Sequence, residues 1–399
     1  MKKLILLSLA VASSLYAGGY KIPETSTNGV ALSAANVAHS QNADAAYYNP
    51  ANMIFMADEN AMEADLMVIS LGATNFQGSG SQAGDNIDAE SELFFIPSIN
   101  YVSPKLGNAR VGLSVSVPGG LTKRWTESPA KDKAEEFTLQ VVEINPTAAF
   151  EVTDTLGVAV GFRLLHSSGI VKSSSVISRD MEGSSNDVGY NLALAYKPTK
   201  TIEFGLTYRS RVDLTQEGTA KLYDVSSTTT PVYNGGSTVS IPLPAAVNVA
   251  LAYTFSTDTT VEFVYEKTYW SAYSTLDFDY AGDIGNLKPN FDDPIAKSWK
   301  DTQAYRIGLT QKLDKLTLMA GAVLDESPVP DETLSYELPD SDSLSFSFGG
   351  RYDVTEKINL GMSALYSMRE DRSVKNDDIE GTFSNSNILI ISAGLGYKF

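Results

Sequence analysis

The chain has 399 residues, 20% charged and 43% hydrophobic, with a formal net charge of −18 and no cysteine. That acidic balance leaves no basic stripe to neutralise phosphates and argues against nucleic acid as a partner. The missing cysteines exclude disulfides, thiolate metal sites and thiol catalysis, and no long apolar run after the N-terminus offers a helical membrane span.

Residues 1–17, MKKLILLSLAVASSLYA, carry two lysines, an apolar run and small residues around Ala17. This predicts a cleaved secretory signal with the mature chain starting near Gly18, although Leu15 is large for the third position before a cut. Residues 18–60 do not alternate; they are rich in Ala, Asn and Ser, with helix-like spacing in GVALSAANVA, and are too few for an independent domain.

From residue 61 the pattern changes to period two, the signature of strands with two unlike faces. Runs fall near 61–72, 91–102, 109–117, 137–150, 156–171, 188–196, 201–210, 240–253, 261–269, 303–311, 316–324, 343–352, 357–368 and 386–399. Short turns such as SPKLGNA (103–109), EVTDT (151–155), KPTKT (197–201) and DVTEK (353–357) join pairs of runs. Longer polar connections lie between the pairs, near 73–90, 118–136, 172–187, 211–238, 270–302, 325–342 and 369–385. Fourteen strands, short turns at one end, long loops at the other and a leader describe a bacterial outer-membrane β-barrel. Closure is required because lipid cannot satisfy an open edge.

Parity assigns the faces. Val188, Tyr190, Leu192, Leu194 and Tyr196 point to lipid, and Gly189, Asn191, Ala193 and Ala195 to the lumen. Tyr101, Phe150, Tyr196, Tyr253 and Tyr352 sit at the short-turn ends on the apolar face, as an aromatic girdle. Trp125, Trp270 and Trp299 fall toward the opposite interface. A secreted β-sandwich also alternates, but it explains neither the loop lengths nor the girdle. The architecture expected is therefore an all-β, 14-stranded antiparallel transmembrane barrel: residues 1–17 a signal, 18–60 a plug inside the lumen and 61–399 the wall.

The segment before the first strand resembles the N-terminal hatch of the FadL-type long-chain fatty acid transporters, through Asn49-Pro50-Ala51. The similarity continues in VPGGLTKRW (117–125), EINPTAAF (143–150), LTYRSRV (206–212), WKDTQAYRIGL (299–309) and DESPVPDETLSYELPDSD (325–342). Thr302-Gln303 lengthens the expected motif by two residues, and 172–187 and 211–238 match nothing in the family. The resemblance implies ligand capture by extracellular loops, an apolar pocket in the upper lumen and sideways exit at a kinked third strand. Pro118-Gly119-Gly120 fits that kink, because proline cannot donate to a ladder and glycine marks bulges; an ordinary strand end is the plain alternative. For Asn49-Pro50-Ala51 the plain alternative is a turn.

A fatty-acid carboxylate in a dry pocket needs a cation. Lys172 and Lys297 lie on the loop side, and Arg163 and Arg306 point inward by parity. The arginines suit wall pairs with lumen acids such as Glu203, Glu262 or Glu266 better than a ligand. The acidic connection 325–342 contains no basic residue; it lacks EF-hand spacing, so a solvated loop is expected over a calcium or shared lipopolysaccharide ion site. With two histidines and no Gly-x-Ser-x-Gly elbow, an enzyme is not expected, and no cofactor is expected. The expected partners are long-chain fatty acids or other hydrophobic compounds, outer-membrane lipid and lipopolysaccharide, and the barrel-assembly machinery through Phe399, with the chain a monomer. Aromatic-hydrocarbon import and a general diffusion porin stand as alternatives.

Overall fold

The computed structural model describes residues 18–225 and 229–399. The leader expected at residues 1–17 lies outside the described residues. Fourteen antiparallel strands form one ring: β1 (Ala61–Leu71), β2 (Glu92–Val102), β3 (Ala109–Arg124), β4 (Glu136–Thr153), β5 (Leu156–Lys172), β6 (Ser178–Tyr196), β7 (Ile202–Arg209), β8 (Ala246–Thr254), β9 (Thr259–Thr268), β10 (Thr302–Lys312), β11 (Leu316–Asp325), β12 (Ser343–Asp353), β13 (Ile358–Arg369) and β14 (Ile388–Lys398). Each pairs with its sequence neighbour, and β1 closes on β14 from Ala61↔Lys398 to Leu71↔Ile388. Closure satisfies the backbone groups of both end strands without water.

The two faces follow parity. In β12, Phe346, Phe348 and Tyr352 are exposed outward, whereas Ser343, Ser345, Ser347 and Arg351 are buried inward. In β6, Val188, Tyr190, Leu192 and Tyr196 are exposed and Asn191, Ala193 and Ala195 buried. An apolar outer surface is the stable one only where the surrounding solvent is hydrocarbon. The short-turn aromatics Phe150, Tyr196, Tyr253 and Tyr352 are exposed outward, as a girdle requires.

Several boundaries differ from the sequence pattern. β5 and β6 extend beyond the apolar runs, leaving only residues 173–177 between them; there polar residues stand on both faces, so the hydrophobic period that marks a strand is lost. The run 240–253 divides at Pro244, whose missing N–H breaks a ladder: Tyr233–Leu243 pairs with Val212–Tyr223, and β8 starts only at Ala246. β3 runs on to Arg124 instead of stopping at 117. The three tryptophans do lie at the long-loop end, but as core. Trp270 and Trp299 pack on Tyr20 and Tyr273, and Trp125 on Tyr336 and Phe383. Around them Arg372–Lys375, Glu380–Ser384, Asn75–Gly78 and Asn86–Asp88 form a separate four-stranded sheet over the barrel end. The acidic connection is not simply solvated: Asp331, Glu337 and Asp340 pair with Arg372, Lys297 and Arg369 from other segments.

Residues 18–56 pack against the inward-facing side of the wall. Ser26 caps a short helix, Thr27–Ala31, by accepting from Gly29 N at 3.0 Å. Around it the segment meets the wall on many sides. Ser363 donates to Thr27 O at 2.8 Å, Thr27 Oγ1 lies 2.9 Å from Ser392 Oγ, and Ser33 Oγ lies 2.8 Å from Ser347 Oγ. Gly321 and Gly205 make the closest approaches to the segment's backbone. A Cβ on Gly321 would stand 2.3 Å from the Leu32 carbonyl carbon, and one on Gly205 would stand 2.7 Å from Val37 O, so only glycine lets the segment touch the strands there.

Candidate functional site

The wall is least regular at β3. Its register with β4 shifts between Ser116 and Gly119, a bulge that bends a strand. Past it the lipid-facing alternation disappears, and every residue from Val117 to Lys123 is buried. β2 pairs along its whole length with β1 but meets β3 only from Ile99↔Val115 to Val102↔Gly112. From Leu93 to Ser98, β2 therefore has no ladder partner on the β3 side among the described residues. The gap closes again toward the loops, where Glu90 N donates to Arg124 O at 2.9 Å and Arg124 forms a two-pronged pair with Glu92, 2.7 Å each.

The edge of β3 turned away from β4 is taken by the N-terminal segment. Gly120 N donates to Tyr20 O at 2.8 Å, and Ile22 N donates to Pro118 O at 2.9 Å. A Cβ on Gly119 would lie 3.0 Å from Tyr20 O. The bulge adjoins Pro118-Gly119-Gly120, and the short N-terminal strand replaces β2 as the hydrogen-bonding partner of β3 there. Gly19, at φ +76°, leaves room for Trp270 and Trp299, which a Cβ would meet at 2.7 and 2.9 Å.

Two cavities share this bulged stretch as a wall. The upper one, ≈380 Å³ of space between atoms, is lined by Tyr20, Leu121, Phe137, Ile241 and Trp299, with Lys297 and Glu337 as its charged groups. The deeper one, ≈740 Å³, takes Pro118, Leu243, Pro244, Tyr47 and Tyr48 together with Lys21, Arg209 and Glu266. Tyr20 faces the first and Lys21 the second, so the bore strand separates them. A third space, bounded by Gln41, Lys200, Asp258, Lys312 and Lys398, is polar and opens at the short-turn end.

The four basic candidates are placed very differently. Lys297 lines the upper cavity, buried, with its Nζ 2.5 Å from Glu337 Oε2. Burial alone would raise the Glu337 carboxyl, but Lys297 beside it outweighs that and holds it below its ordinary value. Lys172 lies away from all these cavities, half-exposed, 3.8 Å from both Glu136 and Asp180. Arg163 and Arg306 line the deeper cavity. Arg163 donates to Glu143 Oε2 at 2.8 Å and to Ser210 O at 2.6 Å, while the other Glu143 oxygen accepts from Arg209. Arg306 donates to Glu266 at 3.2 Å and to Ser33 O at 3.0 Å. Both arginines are thus engaged by wall acids, as the plainer reading of the sequence allowed.

Asn49-Pro50-Ala51 forms a helix start. Asn49 Oδ1 accepts from Ala51 N at 3.1 Å, and Pro50 opens the 3₁₀ turn Pro50–Phe55. Asn49 Nδ2 reaches Val37 O at 2.8 Å and Leu194 O at 3.1 Å, joining the bore segment to β6. The sequence reading missed Glu143 as the partner of Arg163, Glu337 as the partner of Lys297, and Lys123. Parity along β4 was the available signal for Glu143. Glu337 sits in a loop without periodicity, where no pattern pairs it with a lysine 40 residues earlier.

Comparison with known proteins agrees with this architecture. Residues 8–399 match the family model described as outer membrane protein transport protein (OMPP1/FadL/TodX). The chain is 22% identical over 427 residues to outer membrane protein P1 of Haemophilus influenzae, covering 92% of this chain and 90% of the relative. It is 23% identical over 413 residues to the long-chain fatty acid transport protein of Escherichia coli O6:H1, covering 90% of each. Among solved structures, a FadL homologue of Pseudomonas aeruginosa superposes with a TM-score of 0.84 at 18% identity, covering 95% of this chain and 99% of that one. The toluene transporter TbuX of Ralstonia pickettii gives 0.71 at 17% identity, covering 94% and 98%. A closed barrel with an oily exterior, matched across nearly its whole length, is an outer-membrane protein, and the chain belongs to the OMPP1/FadL/TodX family of outer membrane protein transport proteins.

Proposed function

We propose that the protein carries hydrophobic compounds, long-chain fatty acids first among them, passively across the outer membrane. The ligand is captured among the extracellular loops, rests in the upper apolar cavity, passes the bore strand to the deeper cavity, and leaves sideways through the gap between β2 and β3. Residues 18–60 act as the plug, with Asn49-Pro50-Ala51 packing it against β6. The observation that carries this reading is the unpaired stretch of β2 beside the bulge at Pro118-Gly119-Gly120, with both cavities against it. An apolar solute gains about 25 cal/mol for each Å² it keeps out of water, so an exit into lipid is favoured over one into the polar space at the short-turn end. Rebuilding Pro118-Gly119-Gly120 as a regular strand that pairs with β2 should abolish oleate uptake while the barrel still folds. Undiminished uptake by that variant overturns the sideways exit.

A second reading, uptake of neutral aromatic hydrocarbons, is favoured by one observation: Lys297, the only cation among the described residues that line the upper cavity, is already neutralised by Glu337. A carboxylate ligand must displace Glu337, whereas a neutral one need not. The substitution Glu337→Gln releases Lys297 and should tighten oleate binding about tenfold, leaving toluene binding unchanged. Oleate affinity equally low with and without Glu337, beside measurable toluene binding, selects the hydrocarbon reading.

A further inference from the structure

The net charge of −18 sits almost entirely at one end of the molecule. The seven long connections, 73–90, 118–136, 172–187, 211–238, 270–302, 325–342 and 369–385, hold 31 of the 48 acidic residues but 14 of the 30 lysines and arginines, a net −17. The six short turns, 103–109, 151–155, 197–201, 256–260, 312–315 and 353–357, hold six of each sign. Among the described residues of the long connections, 19 acids are exposed against seven bases. Several of those bases are already matched: Lys133 by Asp378, Lys288 by Asp283, Lys375 by Glu380 and Arg124 by Glu92. One end of the barrel is strongly anionic and the other is neutral.

The most acidic connections are also the ones that build the upper cavity. Connection 325–342 has seven acids and no base, and 270–302 has six acids and three bases. Between them they supply Lys297, Trp299, Val329 and Leu338 to the cavity lining. Like charges over one surface sum to a potential of several kT, which reaches out as far as salt permits. A ligand captured at this end crosses that potential before it meets the cavity. No free cation on the cavity lining rewards an anion for the crossing, because Lys297 is held by Glu337.

We propose that the long-loop end is an electrostatic filter on the charge of the ligand. It slows the capture of carboxylates and other anions, leaves neutral hydrophobic compounds unaffected and draws in cationic amphiphiles. The filter rests on the protein being a carrier of hydrophobic compounds, and adds the charge class that such a carrier takes fastest.

Decanoate, decanol and decylamine share one tail and are anionic, neutral and cationic at neutral pH. Their association with the full chain in a non-ionic detergent can be followed by tryptophan fluorescence, since Trp299 lines the upper cavity. Raising sodium chloride from about 10 mM to about 100 mM shortens the screening length from about 30 Å to about 10 Å. Decanoate should then associate about tenfold faster and decylamine about tenfold more slowly, with decanol unchanged. Asp292, Asp293, Glu332 and Asp371 are exposed, and none of them lines either apolar cavity. Changing all four to lysine should speed decanoate at low salt and flatten its salt dependence, again without effect on decanol. A decanoate rate that ignores salt, or one that follows salt as decanol does, overturns the filter while the carrier reading stands. Failure of all three compounds to bind overturns the carrier reading and the filter with it. The three-ligand comparison on the native chain decides the matter even if the fourfold variant fails to fold.

Discussion

Glu262 uses its two oxygens on the backbone of the bore segment, accepting from Val37 N at 2.6 Å, Ala38 N at 2.7 Å and His39 N at 3.1 Å. Asn49 works from the other side, as helix cap and as donor to Val37 O and Leu194 O. Inside the segment Asp44 Oδ2 gathers Ser26 Oγ, Asn28 Nδ2 and Asn36 Nδ2 within 3.0 Å. The segment also buries Ile22, Val30, Val37, Met53 and Ile54, and these polar bonds fix where that packing sits because a buried polar group left unpaired is costly. The substitution Asn49→Ala removes the cap and both donor bonds, which costs the segment about 2 kcal/mol. Amide hydrogen exchange at Ala51 and Asn52 should then quicken roughly thirtyfold, with the strands of the wall unaffected. Exchange unchanged at those amides would make Asn49 a turn residue without an anchoring role.

At the scale of elements, the barrel was legible because lipid imposes one rule on every strand: apolar outward, anything inward. Phe346 and Phe348 against Ser345 and Ser347 state that rule in four letters. Legibility ended where the outer solvent changed. The far ends of β5 and β6 stand beyond the apolar runs with polar residues on both faces, so 172–187 reads as loop. The end of Tyr233–Leu243, residues 240–243, fused with β8 in the pattern because Ile241 and Leu243 keep alternating up to Pro244, and the rest of that strand fell in the connection 211–238. At Pro118-Gly119-Gly120 the letters suited a strand end as well as a kink, whereas β3 runs on past a register shift there to Arg124. What lay beyond letters was its partner: Tyr20–Ile22, nearly a hundred residues earlier, completes the β3 edge. The basic candidates divide in the same way. Parity placed Arg163 and Arg306 inward, but a loop lysine such as Lys172 has no parity, and only coordinates separate it from Lys297.

At the scale of the whole molecule, the porin reading and the plugged reading make opposite statements about water. Apart from the bridge of Tyr20–Ile22 to the bulged edge of β3, the wall strands hold one another through ladders that do not involve residues 18–56, so deleting that segment should leave a closed barrel. The groups it covers, Glu262, Arg306, Arg351 and Asp65 among them, are ionisable. Once uncovered they favour a hydrated bore over a collapsed one, as in open outer-membrane barrels. Liposomes containing the full chain should therefore swell in arabinose no faster than lipid alone, while those with residues 18–56 deleted should swell rapidly. Heat-modifiable migration on gels checks that the deleted form is still a barrel. Rapid swelling with the full chain would restore the porin. A folded, deleted barrel that still excludes sugar would mean that the extracellular cap around Trp125, Phe76 and Phe383 is the seal, and that the bore segment positions ligand without closing the path.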